Sequence, residues 1–324
     1  MIVVRTRTDL VHVLRDSIRR GTLSRRLKRF PKQRNGKRAE LEYFRFLRKR
    51  FDSLRSMLRE RVVPKIPEIV AELGGRMDAA NARMDAADIL TRSIQGVRVA
   101  WAAETKLGDL FGPIARASAI RRGRDWNQDL KTVLGVDVQM TEPWLAPLIR
   151  DATKRNAELI TNVSDRYMRR VDRTVREAVQ KGVRAEEIEA RILAGLTNEP
   201  ERLGISLEKR AMVIARDQIG KFNGAVARER QADVGVDRFV WTTSHDERVR
   251  DSHADRDDKI FKWSEPIEAQ LGEYGLEPDQ IDGFPSDGPI LCRCIAQPIL
   301  SDIIEGIPAI DDGSPVIDFS EDAA

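Results

Sequence analysis

The chain has 324 residues, of which 41% are hydrophobic and 6% aromatic, and a formal net charge of +4. This length accommodates two or three compact units with aliphatic cores. No apolar run approaches the roughly 20 residues of a membrane-spanning helix, and the first residues lack the apolar segment of a signal peptide.

The charge is distributed unevenly along the chain. Residues 1–61 hold 20 Lys and Arg against 6 Asp and Glu, a net charge of +14, whereas the remainder has a net charge of −10. Such a basic segment attracts polyanions, and it predicts contact either with a nucleic acid or with an acidic protein surface. The candidate nucleic-acid-binding residues are Arg19, Arg20, Arg25, Arg26, Lys28, Arg29, Lys32, Arg34, Lys37 and Arg38.

Helical periodicity dominates the first 140 residues. A helix is predicted over about 37–62, with one apolar stripe formed by Leu41, Phe44, Leu47, Phe51, Leu54 and Leu58. Pro64 and Pro67 then predict a linker. An alanine-rich helix is expected over 76–89, followed over 94–140 by short helices that turn at Gly96, Gly108, Gly112, Gly123 and Gly135.

Longer helices and then strands are predicted in the second half. The apolar spacing indicates a helix from Glu142 to about Gln180, with Thr141 as its N-cap, and further helices over about 185–193 and 206–233. Alternating β-branched and aromatic residues predict strands over 238–242, 259–263 and 294–298, with a loop-like stretch over 264–290. The fold class is therefore mainly α with a small α+β C-terminal domain. In chain order, the expected divisions are a basic helical region (1–62), a helical middle (63–200), the α+β domain (201–300) and an acidic tail (301–324).

Three soft or borderline ligands predict a metal site. Cys292 and Cys294 are one residue apart and poorly placed to pair with each other, which favours a reducing compartment or a metal-bound thiolate pair. Together with His253 they suit zinc, with Asp246 or His245 as the fourth ligand. The alternative interpretation is a metal-free sheet junction with small buried cysteines.

A second set of polar residues surrounds these ligands. Asp246 with Arg248, Arg250 and Arg293 predicts carboxylate–guanidinium pairing that ties a loop to the cysteine-bearing strand, near Trp241. A nuclease would use His245, His253 and Asp246 as base and metal ligands. The sequence contains no phosphate-binding loop, dinucleotide fingerprint or nucleophile elbow, so a structural role is favoured and no catalytic residue is assigned.

These residues resemble the Mu F-like phage head morphogenesis proteins, also called minor head or minor capsid proteins. The resemblance runs from about Trp144 to Pro298 and is found in four stretches. They are Asn156-Ala-Glu-Leu-Ile160, Arg210 to Gln218 with Asn223, Trp241 to His253 with Thr243 and Asp246, and Cys292-Arg293-Cys294 followed by Pro298. Asp258 departs from the pattern, because the family often has glycine there.

The resemblance implies a tailed-phage or prophage protein, present in few copies inside the head and assembled in the host cytoplasm. Its expected partners are the portal protein, capsid or scaffold proteins and packaged double-stranded DNA. The family has no established reaction. The basic region 1–61 lies outside the resemblance, although a basic segment suits a protein that lies beside packaged DNA.

Overall fold

The computed structural model of the chain describes residues 2–20, 30, 36–74, 79–105, 111–135, 137–196, 207–278, 283–285 and 291–299. Within these ranges the chain is mainly α-helical, with a small three-stranded sheet near its C-terminal end. The predicted fold class is confirmed. The acidic tail 301–324 and most of the basic stretch 21–35 lie outside the described residues.

The elements follow one another in this order along the chain: β1 (Ile2–Val4), α1 (Arg7–Arg19), α2 (Lys37–Arg61), α3 (Lys65–Gly74), α4 (Ala79–Thr105), α5 (Phe111–Leu134), β2 (Val138–Met140), α6 (Leu145–Gln180), α7 (Ala185–Leu196), α8 (Leu207–Asp233), β3 (Arg238–Thr242), α9 (Asp251–Ala254), β4 (Ile260–Lys262), α10 (Ile267–Gln270), a 3-10 helix (Leu271–Tyr274) and β5 (Ile295–Pro298). The stretch predicted as loop-like after β4 therefore begins with α10 and the 3-10 helix.

Chain contacts divide the protein into two compact units, each built from segments distant in sequence. One unit combines Met1–Ala39, Ala115–Ile149 and Asp217–Ala324, and the other combines Glu40–Ile114 and Arg150–Arg216. The chain-order division stays a prediction; its ranges are 1–62, 63–200, 201–300 and 301–324. The two compact units are instead each assembled from segments that are not adjacent in sequence.

The unit formed by Glu40–Ile114 and Arg150–Arg216 is helical. Its part of α2 buries the predicted stripe from Leu47 onward, whereas Leu41 is exposed and Tyr43 takes the inward position. The Tyr43 hydroxyl donates to Asn156 Oδ1 on α6 at 3.0 Å. Buried hydrogen bonds of this kind fix which faces of two helices meet, since an unpaired partner would be costly.

Four expectations about helix boundaries are wrong. Pro67 lies in the first turn of α3, where proline is tolerated, so no linker follows Pro64. Gly96 lies inside α4, and Gly112 and Gly123 lie inside α5, so none of the three is a turn between helices. The predicted turn at Gly108 lies outside the described residues. Gly135, by contrast, has a φ of 69° just after α5 ends.

The entry into α6 also differs from the prediction. The Thr141 backbone N–H donates to Val4 O at 2.9 Å, which extends the parallel pairing of β1 with β2. Thr141 therefore does not cap α6, which begins at Leu145.

The other unit, which includes Ala115–Ile149, has two hydrophobic cores among its described residues. The first packs α1, α5 and β2 around Leu10, Leu14, Trp126, Leu130 and Val138. The second lies on one face of the antiparallel sheet, whose strand order is β4-β3-β5. Alternation along β3 sends Phe239 and Trp241 into this second core, where both are fully buried. The sheet carries the candidate site at the ends of β3 and β5.

Candidate functional site

A helix glutamine holds the two outer strands of the sheet. Gln231 on α8 is fully buried, and its Nε2 donates to the carbonyl of Ala296 in β5 at 2.9 Å. Its Oε1 accepts a hydrogen bond from the Trp263 indole, just after β4, also at 2.9 Å. One side chain therefore links α8 to both edges of the sheet.

The loop from β3 to β4 is shaped by Asp257. Its carboxylate accepts a hydrogen bond from the Thr243 backbone N–H at 2.7 Å, and its Oδ2 lies 3.3 Å from His245 Nδ1. Asp258, next in sequence, adopts a left-handed φ of 59° and donates its N–H to Trp241 O. Glycine adopts this conformation most easily, but aspartate tolerates it better than most residues. The turn is thus formed at the position where the chain departs from the family pattern.

Asp246 joins the same loop to the cysteine-bearing segment. Its Oδ1 accepts hydrogen bonds from the Arg293 guanidinium and from the Arg248 backbone N–H. These bonds, led by the one from Arg293, hold the pKa of Asp246 below its usual value. The predicted carboxylate–guanidinium link is present between Asp246 and Arg293, and Arg248 contributes its backbone.

His253, Cys292 and Cys294 form a compact buried group. His253 Nδ1 lies 3.7 Å from Cys292 Sγ and 3.4 Å from Cys294 Sγ, and the three candidate ligand atoms all lie within 4.8 Å of one another. The exposed fractions are 2% for His253, 9% for Cys292 and 3% for Cys294. The hydrogen bond with Cys292 and burial raise the pKa of Cys294 far above its usual value.

The other predicted site residues surround this group without joining it. Trp241 meets the His253 ring edge to face, with centroids 5.2 Å apart. The Arg250 carbonyl accepts the His253 backbone N–H at 3.0 Å. Asp246 and His245 both lie outside the set of ligand atoms that could surround one ion. The structure therefore brings together three of the predicted ligands.

Several polar residues that are buried or partly buried, at the site or on α8, were missed from the sequence. Asp217 accepts the backbone N–H of Leu291, immediately before Cys292, at 2.9 Å. Arg256 is 1% exposed and its guanidinium lies 5.2 Å from the centre of the Trp241 ring. Arg230 had a detectable signal, because it follows the buried Phe222 and Val226 at helical spacing, which places a charge on the inward face of α8.

The basic residues predicted to bind nucleic acid are only partly described. Arg25, Arg26, Lys28, Arg29, Lys32 and Arg34 lie outside the described residues, as does the side chain of Arg19. Arg20 forms an exposed ion pair with Asp16, and Lys37 and Arg38 begin α2 with exposed side chains. Binding of nucleic acid by this region stays a prediction.

The part of the chain that contains the candidate site is similar to a known protein family. Residues 169–297 match a family model described as "Phage Mu protein F like protein". Over this segment the chain is similar to the Mu F-like family. The predicted resemblance is thereby confirmed, and the Mu F-like segment contains α8, the three-stranded sheet except Pro298, and the His253/Cys292/Cys294 group.

One curated relative is a Haemophilus influenzae protein named "Uncharacterized protein". It is 31% identical over 188 residues, which cover 56% of this chain and 37% of that protein. The chain thus matches little more than a third of the relative's length. No solved structure matches the chain. Within the described ranges, no helix is both long and apolar enough to cross a bilayer.

Proposed function

We propose that the chain is a minor head protein that acts in phage head morphogenesis at the portal, next to the packaged DNA. The observation that carries this proposal is the Mu F-like match over residues 169–297. The portal protein, capsid or scaffold proteins and double-stranded DNA are its proposed partners. Its proposed location is inside the virion head, after assembly in the host cytoplasm.

The geometry of the candidate site supports a structural role within this function. His253, Cys292 and Cys294 are buried, and the loop around them is tied by Asp257 to Thr243 and by Asp246 to Arg293. A catalytic group must be reached by its substrate. These side chains are instead placed where a strand, a loop and a second strand join, so they stabilise the Mu F-like module.

The basic region supports the proposed contact with DNA through its charge. Residues 1–61 have a net charge of +14, and cationic side chains that neutralise phosphates release counterions and gain affinity without sequence preference. An acidic surface on a portal or scaffold protein would attract the same residues. Measuring how the affinity of the chain for purified DNA changes with salt concentration distinguishes DNA from an acidic protein surface as the partner of this region.

The function is tested in a phage or prophage that encodes the chain. A strain with the gene deleted should yield fewer filled, infective heads, and the intact gene supplied in trans should restore them. Quantitative mass spectrometry of purified heads should detect the chain at far fewer copies than the major capsid protein. Normal heads from the deletion strain, or a chain found free and never in particles, would contradict the proposal.

A purified-protein assay addresses the nuclease interpretation. The chain is incubated with duplex and single-stranded DNA, with and without a chelator, beside a His253→Ala variant. We expect no cleavage from either protein. Chelator-sensitive cleavage by the intact chain that is lost in a folded His253→Ala variant would replace the structural proposal with an enzymatic one.

A further inference from the structure

We propose that His253, Cys292 and Cys294 bind a zinc ion that fastens the segment leading into β5 to the loop between β3 and β4. The sequence predicted such ligands, and the structure brings three of them together. The inference concerns the stability of the module, and it stands independently of whether the chain acts in head assembly.

The spacing of the ligand atoms matches a tetrahedral zinc site. Zinc binds a thiolate sulfur at about 2.3 Å and an imidazole nitrogen at about 2.0–2.1 Å, so nitrogen and sulfur ligands of one ion lie roughly 3.6 Å apart. The observed Nδ1–Sγ distances are 3.7 Å to Cys292 and 3.4 Å to Cys294. One ion placed between the three atoms would therefore contact all of them.

Hydrogen bonds to His253 Nδ1 alone do not explain why the sulfur atoms of both cysteines lie close to this nitrogen. A neutral imidazole nitrogen carries either one proton or one lone pair, so Nδ1 makes one good hydrogen bond to sulfur at a time. The other ring nitrogen, Nε2, is buried and has no hydrogen-bond partner among the described residues. Both cysteines thus converge on a single nitrogen, which is the arrangement that one shared cation requires.

The charges of such a site balance. Two thiolates and one divalent cation sum to zero, and His253 binds as the neutral imidazole. Neutrality matters because the three side chains are each less than 10% exposed, and an uncompensated thiolate in that position would be strongly destabilising. Sulfur and imidazole ligands favour zinc over magnesium or calcium, which prefer oxygen.

The ligands are also held in place by contacts behind them. Asp217 anchors the Leu291 backbone, and Trp241 packs against the ring of His253. Packing and hydrogen bonds of this kind orient metal ligands before the ion arrives. Asp246 is engaged by Arg293, and His245 is 54% exposed and faces Asp257, so neither fills the fourth position. The described residues supply three ligands, which leaves that position for water or a group outside them.

Metal content of the full-length protein tests the proposal. The chain is purified under reducing conditions without a nickel or zinc column, and its metals are measured by mass spectrometry. We expect one zinc per chain. After removal of zinc, titration with cobalt should produce sulfur-to-cobalt charge-transfer absorption and the intense visible bands of a tetrahedral site, and added zinc should abolish both.

Matched variants assign the ligands. The double variant Cys292→Ser/Cys294→Ser and the single variant His253→Ala should lose zinc, whereas Asp246→Asn and His245→Gln should retain it. Intact protein with reduced thiols and a native circular-dichroism spectrum that binds neither zinc nor cobalt would overturn the proposal. Because cobalt uptake is measured on the unsubstituted chain, the test holds even if a cysteine variant fails to fold.

Discussion

Gln231 and Trp263 are joined by a buried hydrogen bond of 2.9 Å that connects α8 to the edge of the sheet beside β4. The same glutamine donates to the Ala296 carbonyl in β5, so a single amide satisfies two groups on opposite sides of β3. A buried donor or acceptor that loses its partner costs about 1–3 kcal/mol. This amide is therefore a strong determinant of how the sheet packs on the helix.

Replacing this amide should destabilise the Mu F-like module. We expect Gln231→Leu to lower the free energy of unfolding by about 2–4 kcal/mol, because the Trp263 indole and the Ala296 carbonyl both lose their partner. Urea denaturation followed by circular dichroism measures the change. Gln128→Leu on the exposed side of α5 is the control and should shift stability by less than about 0.5 kcal/mol. Equal effects of the two substitutions would show that the buried amide has no special role.

A buried ion pair should be a second determinant of stability. The Arg230 guanidinium, 4% exposed, pairs with Glu142 and also donates to the Ala119 carbonyl at 2.9 Å. Removing one partner of a buried pair leaves an uncompensated charge, so Glu142→Ala should cost about 2–4 kcal/mol in the same urea experiment. Asp16→Ala, which breaks the exposed pair with Arg20, should cost less than about 1 kcal/mol. A neutral Glu142→Ala variant would contradict this account.

The long helices and the sheet were predictable because their periodicity is local. α6 and α8 end close to the predicted residues, and β3 spans the expected 238–242. Gly123 is predicted to form a turn, but it lies inside α5. A Cβ atom at this position would lie 2.9 Å from Arg230 Nη2. The glycine makes room for a buried guanidinium on another helix. Sequence spacing contains no information about that neighbour.

The site was predictable in its composition and only partly in its geometry. His253, Cys292 and Cys294 converge as their residue types suggest, because few other side chains in the sequence are soft metal ligands. Asp246 could equally bind a metal or pair with an arginine, and the choice depends on where Arg293 lies in space. Gln231 and Asp257 belong to no sequence motif. The partners of a buried amide or carboxylate can be identified only when the fold is known.

The pH dependence of stability should include a contribution from Asp129 on α5. Burial, and then repulsion by Asp125, raise its pKa from 3.8 to about 6. Between about pH 4 and pH 6 the folded chain retains a proton that the unfolded chain releases, so this contribution to stability falls as pH rises. We expect Asp129→Asn to raise the free energy of unfolding at pH 7 by about 1 kcal/mol, less than the full pKa shift implies because solvent screens this partly exposed carboxyl, and to remove this slope.

Asp125→Asn is the control for that effect. It removes only the repulsion and leaves the burial, so it should weaken the slope between about pH 4 and pH 6 without abolishing it. Urea titrations across this range, compared among the three proteins, give the slopes. An unchanged slope in Asp129→Asn would show that this carboxyl titrates at its ordinary pKa.

Zinc removal should lower the stability of the intact chain and leave a ligand-free variant unaffected. A ligand that binds only the folded state adds about 2.7 kcal/mol when its free concentration is 100 times its Kd. A chelator should therefore lower the Tm of the intact chain, and Cys292→Ser should have a low Tm with or without chelator. Differential scanning calorimetry measures both. A chelator effect of equal size in the two proteins would place the relevant ion elsewhere.

Binding of the basic region to DNA should be electrostatic and sequence-independent. We expect the affinity of the full chain for duplex DNA to fall steeply between about 50 and 200 mM salt, because bound phosphates release counterions. A variant with Arg25, Arg26, Lys28 and Arg29 changed to glutamine should bind at least about tenfold more weakly, with a shallower salt slope.

The charge-matched control changes Lys154, Arg155, Arg169 and Arg173, which are exposed on α6. Fluorescence anisotropy with a labelled duplex measures all three proteins. Equal losses in the two variants would indicate that net charge alone governs binding, and tight binding that ignores salt would exclude phosphate contacts as its source.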